Sequence, residues 1–227
     1  MKCPCWWAYT PVMSSVPVIR SLRQEDREIV GQLAYQTGFF GLSAERYFPA
    51  RPLFEFLWTG PYFQTAAPLG FLAERHGQAV GYVIGCASQA QYQRALLRTL
   101  PLGFWSRLHP FCPVWRSLRY LSRAAIFSPA HANWRQYPAH LHINLLPQAR
   151  GFRLGEQLLQ AYLNVLTERG VTGVQLSTTT ENHAALGLYR KFGFQVLGSQ
   201  VTPLWTPWLG HPAHHLIMGR SLVKEQD

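Results

Sequence analysis

Three groups of residues in this 227-residue chain have types and spacings suited to chemistry. The first is the loop QARGFRLG, where Gly151 and Gly155 would let the backbone come close to a ligand while Arg150 and Arg153 add two positive charges. An amphipathic run follows at once, with Leu154, Leu158, Tyr162 and Val165 on one face, so the loop opens a helix. Unpaired N–H groups and the positive end of the helix dipole make such a terminus a site for phosphate or pyrophosphate. A purely structural turn is the competing reading. The second group lies in ENHAALGLYRKFGF, where Asn182 and Tyr189 stand seven residues apart, two helical turns, and project from one face. Gly193 then ends the helix and Phe194 starts a strand. The third is AHLHINLL, where a period of two puts His140, His142 and Asn144 on one strand face and supplies imidazoles that titrate near neutrality.

These residues need a scaffold, and the hydrophobic pattern gives one. VPVIRSL alternates as a strand, and QEDREIVGQLAYQTG follows as a helix with acidic residues in its first turn and Gly38 at its end. PLGFLAERHGQAVGYVIGCAS reads as a hairpin turning at RHGQ, its second strand free of charge and central. From Gln91 to Tyr137 the chain is rich in arginine, aromatic residues and proline, which predicts two or three short helices and a loop. Strand AHLHINLL, helix RLGEQLLQAYLNVLTERG, strand VTGVQLSTTT, helix ENHAALGLYRKFG, strand FQVLGS and strand HHLIMGRSL complete the chain. Alternating strands and helices argue for an α/β sheet with crossover helices. Residues 1–15 read as an N-terminal extension, 16–222 as a single domain, and 91–137 as a helical insertion within it.

Composition narrows the function classes. With 48% hydrophobic residues the chain can bury a full core, yet no apolar run approaches the length of a membrane span. The four cysteines (Cys3, Cys5, Cys86, Cys112) form no CxxC pair, which argues against a disulfide framework or zinc site and for a reducing, cytoplasmic setting. The cluster HPAHH (His211, His214, His215) lacks a metal-ligand spacing. Net charge is +10, and between Glu74 and Glu156 there is no acidic residue while ten arginines occur. A basic middle suits an anionic cofactor, an acidic substrate or nucleic acid, and equally a solvated face of snorkelling arginines. The stretch FWSRLHPFCPVWRSLRYLSRAAIF reads as a cover for a core or an acceptor pocket rather than a membrane or nucleic-acid surface.

The loop and the N-x-x-A-x-x-x-Y-x-x-x-G-F pattern together resemble the GCN5-related N-acetyltransferase (GNAT) superfamily, and the element order from Val16 to Leu222 is similar too. Gln148, Arg150, Gly151 and Gly155 correspond to its Q/R-x-x-G-x-G/A signature; Arg153 stands where the second small residue belongs. YPAHLHINLLP is also similar to bacterial proteins like the acetyltransferase-like domain of O-GlcNAcase, in which an Asp is expected at the place of Asn144. The resemblance implies an acyl-CoA N-acyltransferase fold, with a mixed, mostly antiparallel sheet splayed at the cofactor strand. It implies acetyl-CoA as co-substrate, with Leu145 and Leu146 along the pantetheine arm. The backbone of Arg150, Gly151, Phe152, Arg153, Leu154 and Gly155 would hold the pyrophosphate, and Asn182 would lie near the acetyl end. Tyr189 would be the acid that protonates the leaving thiolate.

An amine acceptor must lose a proton before it attacks, and His140, His142 or Glu181 could take it. The expected activity is direct acetyl transfer to an unidentified primary amine, with no covalent acyl-enzyme, no metal, no specific nucleic-acid partner, and room for a homodimer. The rival readings are a catalytically silent acetyl-CoA-binding module and an interaction protein using the basic middle.

Overall fold

A computed structural model describes residues 16–64, 67–107, 114–127 and 130–223. The N-terminal extension, Cys3, Cys5, Cys112 and the side chain of Trp105 lie outside the described residues. Seven strands, β1 (Val18–Ser21), β2 (Leu69–Arg75), β3 (Gln78–Cys86), β4 (Ala139–Leu145), β5 (Gly173–Thr179), β6 (Gln195–Thr202) and β7 (Ala213–Ser221), form one sheet in the order β1-β2-β3-β4-β5-β7-β6. The helices are α1 (Arg27–Thr37), α2 (Arg51–Trp58), α3 (Gln89–Arg107), α4 (Val114–Ile126), α5 (Leu154–Glu168), α6 (His183–Lys191) and the short α7 (Thr206–Leu209). All strand pairings are antiparallel except β4 with β5, which a right-handed crossover through α5 requires to be parallel. No helix among the described residues is long and apolar enough to cross a membrane.

The hairpin β2–β3 turns at His76 and Gly77, both with positive φ (52° and 73°), the two-residue turn whose twist matches that of the strands. β1 and the entry to α1 are pinned by charge: Arg20 donates to both carboxylate oxygens of Asp26 at 2.7 Å and to Glu74 at 2.8 Å. Asp26 also accepts from the Arg23 backbone N–H at 2.8 Å. These bonds, that from Arg20 foremost, hold the Asp26 carboxyl below the usual carboxylate range.

The sheet separates two cores of different chemistry. Under α5 and α6 the core is largely aliphatic, built on Leu154, Leu158, Leu159, Leu163, Leu166 and Met218. Each such side chain, taken fully out of water, contributes on the order of 1.5–3 kcal/mol. On the other face the core is aromatic: Phe54 stacks on Trp58 at 4.4 Å, and Trp58 meets Tyr120, which meets Trp205. α2 has no counterpart in the sequence reading, which described no element between Gly38 and Pro68. The predicted helical region after Gln91 contains α3 and α4, and α3 is longer than a short helix because it runs through Pro101.

Candidate active site

The site begins where the sheet comes apart. β4 and β5 pair only at Ala139↔Val174 and His140↔Gln175, and then continue separately to Leu145 and Thr179. β4 stays paired to β3 as far as Gly81↔Leu145. In an antiparallel ladder, bonded and non-bonded pairs alternate. The N–H of Leu146 donates to the Val80 carbonyl at 2.9 Å, so the even-numbered residues bond to β3. The main-chain groups of Ile143 and Leu145 therefore face the gap.

A first cleft of about 260 Å³ opens beside this gap, lined by Leu145, Arg150, Gly151, Arg153, Leu154 and Gly155, and by Asn182, Ala185 and Leu188 of the facing segment. The N–H groups of residues 151 to 156 meet no acceptor among the described residues. Six donors at one end of a 15-residue helix form an anion cradle. Gly151 has φ 86°, a conformation natural to glycine. Arg153 adopts φ 56° at the N-cap of α5, so a bulky residue occupies a left-handed position where the GNAT signature carries glycine or alanine. Its guanidinium pairs with Glu156, which also binds Lys191. Arg150 makes no ion pair among the described residues and lies over Gly41, where a Cβ would sit 2.8 Å from the guanidinium. Leu146, Gln148 and Phe152 do not line this cleft. Leu146 packs into the aromatic core, and Phe152 lies under the guanidinium of Arg75 at 3.7 Å.

A second cavity of about 360 Å³ lies on the aromatic face of the sheet and shares Thr37, Asn144 and Asn182 with the first. Its walls are His142 of β4, Ser177 and Thr179 of β5, His215 of β7, and rings from Phe54, Trp58, Tyr120 and Trp205. No charged residue among the described ones lines it. At the junction, Asn144 Nδ2 donates to Thr37 Oγ1 at 2.6 Å, and that hydroxyl donates to the Leu33 carbonyl at 2.6 Å. Asn182 caps α6, its side-chain oxygen accepting from the Ala185 N–H at 3.4 Å.

The candidate acid and bases are distributed unevenly. His142 makes no hydrogen bond among the described residues, and although it lies deep in the molecule its ring keeps open surface, which faces the cavity. Desolvation lowers its pKa to about 4, so the ring is neutral at physiological pH and its basic nitrogen is free. His140, on the same strand face, is committed elsewhere: its ring nitrogens meet the Tyr62 hydroxyl at 2.7 Å and the Cys86 thiol at 3.1 Å. Glu181, in the turn before α6, lines neither cavity. Tyr189 is 6% exposed and packs its ring on Phe194. It lines neither cavity, and its hydroxyl has no hydrogen-bond partner among the described residues; burial foremost, with Tyr189 second, holds the phenol of Tyr82, a wall of the second cavity, protonated. Burial keeps Tyr189 itself protonated far above neutral pH.

This geometry has recognisable relatives. The model of the acetyltransferase (GNAT) family matches residues 35–194, more than two thirds of the chain. The chain belongs to the GNAT family. The crystal structure of SsHAT is similar over 92% of this chain and 99% of its own, with TM-score 0.63 and 26% identity. The ribosomal-protein-S18-alanine N-acetyltransferase from Escherichia coli shares the fold, with TM-score 0.55 and 16% identity over 93% of this chain and 97% of its own. So does yncA from Salmonella typhimurium, a structure with its cofactor acetyl-CoA, at TM-score 0.53 and 14% identity over 93% and 96%. A putative [ribosomal protein bS18]-alanine N-acetyltransferase of Bacillus subtilis is 37% identical over 54 residues, 24% of this chain and 36% of the relative.

Within the GNAT frame, several residues that the sequence reading did not place in a site build the second cavity. Thr37, Phe54, Trp58, Tyr120, Trp205 and His215 come from four helices or strands and one loop, and converge only in three dimensions. Strand alternation was the available signal for His215, since it separates His215 from His214 within HPAHH. Several of the arginines in the basic middle have structural employment. Arg116 lies over Trp115, Arg119 over Trp208, and Arg123 donates to the Leu204 carbonyl at 3.0 Å and to that of Pro203.

Proposed function

We propose that this GNAT acetyltransferase uses acetyl-CoA in the first cleft to acetylate a primary amine held in the second cavity. The observation that carries the reading is the row of unpartnered N–H groups at residues 151–156, which opens onto the gap between β4 and β5. Those donors, with Arg150 beside them, suit a pyrophosphate, and the free main-chain groups of Ile143 and Leu145 suit an amide-bearing arm running along β4. When bound, acetyl-CoA supplies an activated acetyl group as a thioester.

The chain's own residues then have separate tasks. His142 accepts the proton that the amine loses as its nitrogen bonds to the acetyl carbon. The N–H of Ile143 polarises the carbonyl oxygen, while Leu145, nearer the loop, pairs with the arm. As the carbon–sulfur bond breaks, Tyr189 gives its proton to the departing sulfur and is later reprotonated from solvent. Asn144 and Thr37 hold the wall common to both cavities.

The decisive experiment is thermal denaturation with and without acetyl-CoA, followed by a thiol-release assay over an amine panel. Acetyl-CoA should raise the Tm of the wild type and leave Gly151→Asp unmoved, because an anion at residue 151 competes for the same donors and meets the phosphates with like charge. No rise for the wild type at millimolar acetyl-CoA would refute the cofactor assignment.

A further inference from the structure

Resting on the reading of the second cavity as the acceptor site, we infer that it selects a small aromatic monoamine carrying a hydrogen-bonding group at the end remote from its amine, and rejects carboxylates, polyamines and peptide N-termini. Three observations converge on that class.

Charge comes first. Among the described residues the lining contains neither Asp, Glu, Lys nor Arg. A carboxylate or a second ammonium entering it would give up hydration with no counter-charge in return. The reacting amine escapes this penalty because the same desolvation favours its neutral, nucleophilic form.

Shape and surface come next. At about 360 Å³ the cavity is at the small end of ligand sites. Phe54, Trp58, Tyr120 and Trp205 offer ring faces and edges to a flat apolar body, already ordered by their contacts with one another.

The third observation is the far end. Among the described residues, the hydroxyl of Thr179, only 3% exposed, has no partner, and both ring nitrogens of His215 are buried without one. The two residues are register partners on β5 and β7, and both border the cavity. Buried polar atoms are otherwise nearly always hydrogen-bonded, so this pair marks a place where a ligand group belongs. His142, the proposed base, stands on β4, two strands away from His215 across the gap. Two strand spacings and the gap put that separation above roughly 10 Å, a span for one substituted ring on a short alkyl arm with a hydrogen bond at each end.

Tyramine is the probe that meets all three criteria, and each control removes one. Initial rates and calorimetric binding in the presence of CoA would be compared for tyramine, tyrosine, phenethylamine, spermidine and a peptide with N-terminal alanine. Tyramine should exceed tyrosine and spermidine in kcat/KM by about 100-fold or more, and the peptide likewise. It should exceed phenethylamine by about 3- to 10-fold, an advantage that His215→Phe abolishes. Equal use of tyrosine, or a peptide turned over faster than tyramine, overturns the inference. So does the absence of tyramine binding by calorimetry in protein whose Tm acetyl-CoA raises, and in that case the acetyl-CoA reading stands. Tyramine binding without any response to acetyl-CoA would do the reverse, sustaining the cavity's selectivity and refuting the transfer reaction.

Discussion

Asn144 on β4 and Thr37 at the end of α1 are joined by a 2.6 Å hydrogen bond across 107 residues of sequence, at the wall shared by both cavities. The Thr37 hydroxyl spends its own proton on Leu33, so the Asn144 amide is fixed as donor and its rotamer is set. Thr37→Val keeps the side-chain shape and removes the acceptor, leaving a half-buried amide N–H unpaired. The expected cost is about 1–3 kcal/mol in chemical denaturation. A fall in kcat/KM larger than that destabilisation explains would mark the clamp as part of the catalytic geometry.

Tyr189 separates enzyme from silent binder. Its hydroxyl has no hydrogen-bond partner among the described residues, so Tyr189→Phe should cost less than about 1 kcal/mol of stability and leave acetyl-CoA binding intact. Turnover should fall on the order of 100- to 10,000-fold if the phenol is the acid. Unchanged turnover would assign Tyr189 to packing against Phe194 alone.

Arg153 holds a left-handed φ of 56° that glycine adopts freely. The ion pair it would forfeit is at the surface, where such pairs contribute little. Arg153→Gly should therefore stabilise the protein by roughly 1 kcal/mol, seen as a higher denaturation midpoint. A loss of stability instead would show that the Arg153–Glu156–Lys191 bridge outweighs the backbone strain.

Acid should weaken the fold in two windows. Desolvation lowers the pKa of His140 to about 3, of His142 to about 4 and of His215 to about 4, with neighbouring histidines adding to the effect at His140 and His215. In the unfolded chain these imidazoles take up protons near pH 6.5. Between about pH 6.5 and 4 the unfolded state thus binds up to three more protons than the native one, and stability declines as pH falls. Asp26 acts lower down: with its folded pKa depressed, its contribution is complete above the ordinary carboxylate pKa and disappears as pH falls through the folded value. Arg20→Met should therefore raise the midpoint of acid unfolding. Stability independent of pH between 6.5 and 5 would contradict the burial of neutral imidazoles.

The same residues imply a pH profile for turnover. His142 is already neutral above about pH 5, so the rise of kcat/KM at higher pH should follow the amine. Replacing one substrate by an analogue of lower amine pKa should move that limb to lower pH by the same amount. A limb fixed near pH 6.5 with every amine would indicate a solvated enzyme imidazole as the base.

The strands, the crossover helices and the glycine loop that opens α5 could be read from sequence because each depends on local pattern: period two in AHLHINLL, a glycine before an amphipathic run, Asn182 and Gly193 bounding a helix. The cavity opposite them could not. Phe54 and Trp58 fall in a stretch where the sequence reading described no element, and only the packing of α2 and α4 over the splayed strands leaves their rings around an opening. His140 and His142 are equivalent by spacing, and a contact from Tyr62, 78 residues away, separates them. Glu181 follows a strand and precedes a helix cap, a position from which sequence cannot tell whether a side chain faces inward or away.

The two-residue pairing of β4 with β5 also shapes the timescale of amide exchange. The centre of a sheet is ordinarily where deuterium enters last, since opening there requires global unfolding. Here the N–H groups of Ile143 and Leu145 sit mid-sheet yet face a gap, so they should exchange as quickly as those of an outer strand while Val83 and Leu141 beside them stay protected. A cofactor lying along β4 would supply the missing partner. Its arrival would register as slowed exchange at two alternate residues, a fingerprint of pairing that no change in overall stability can imitate.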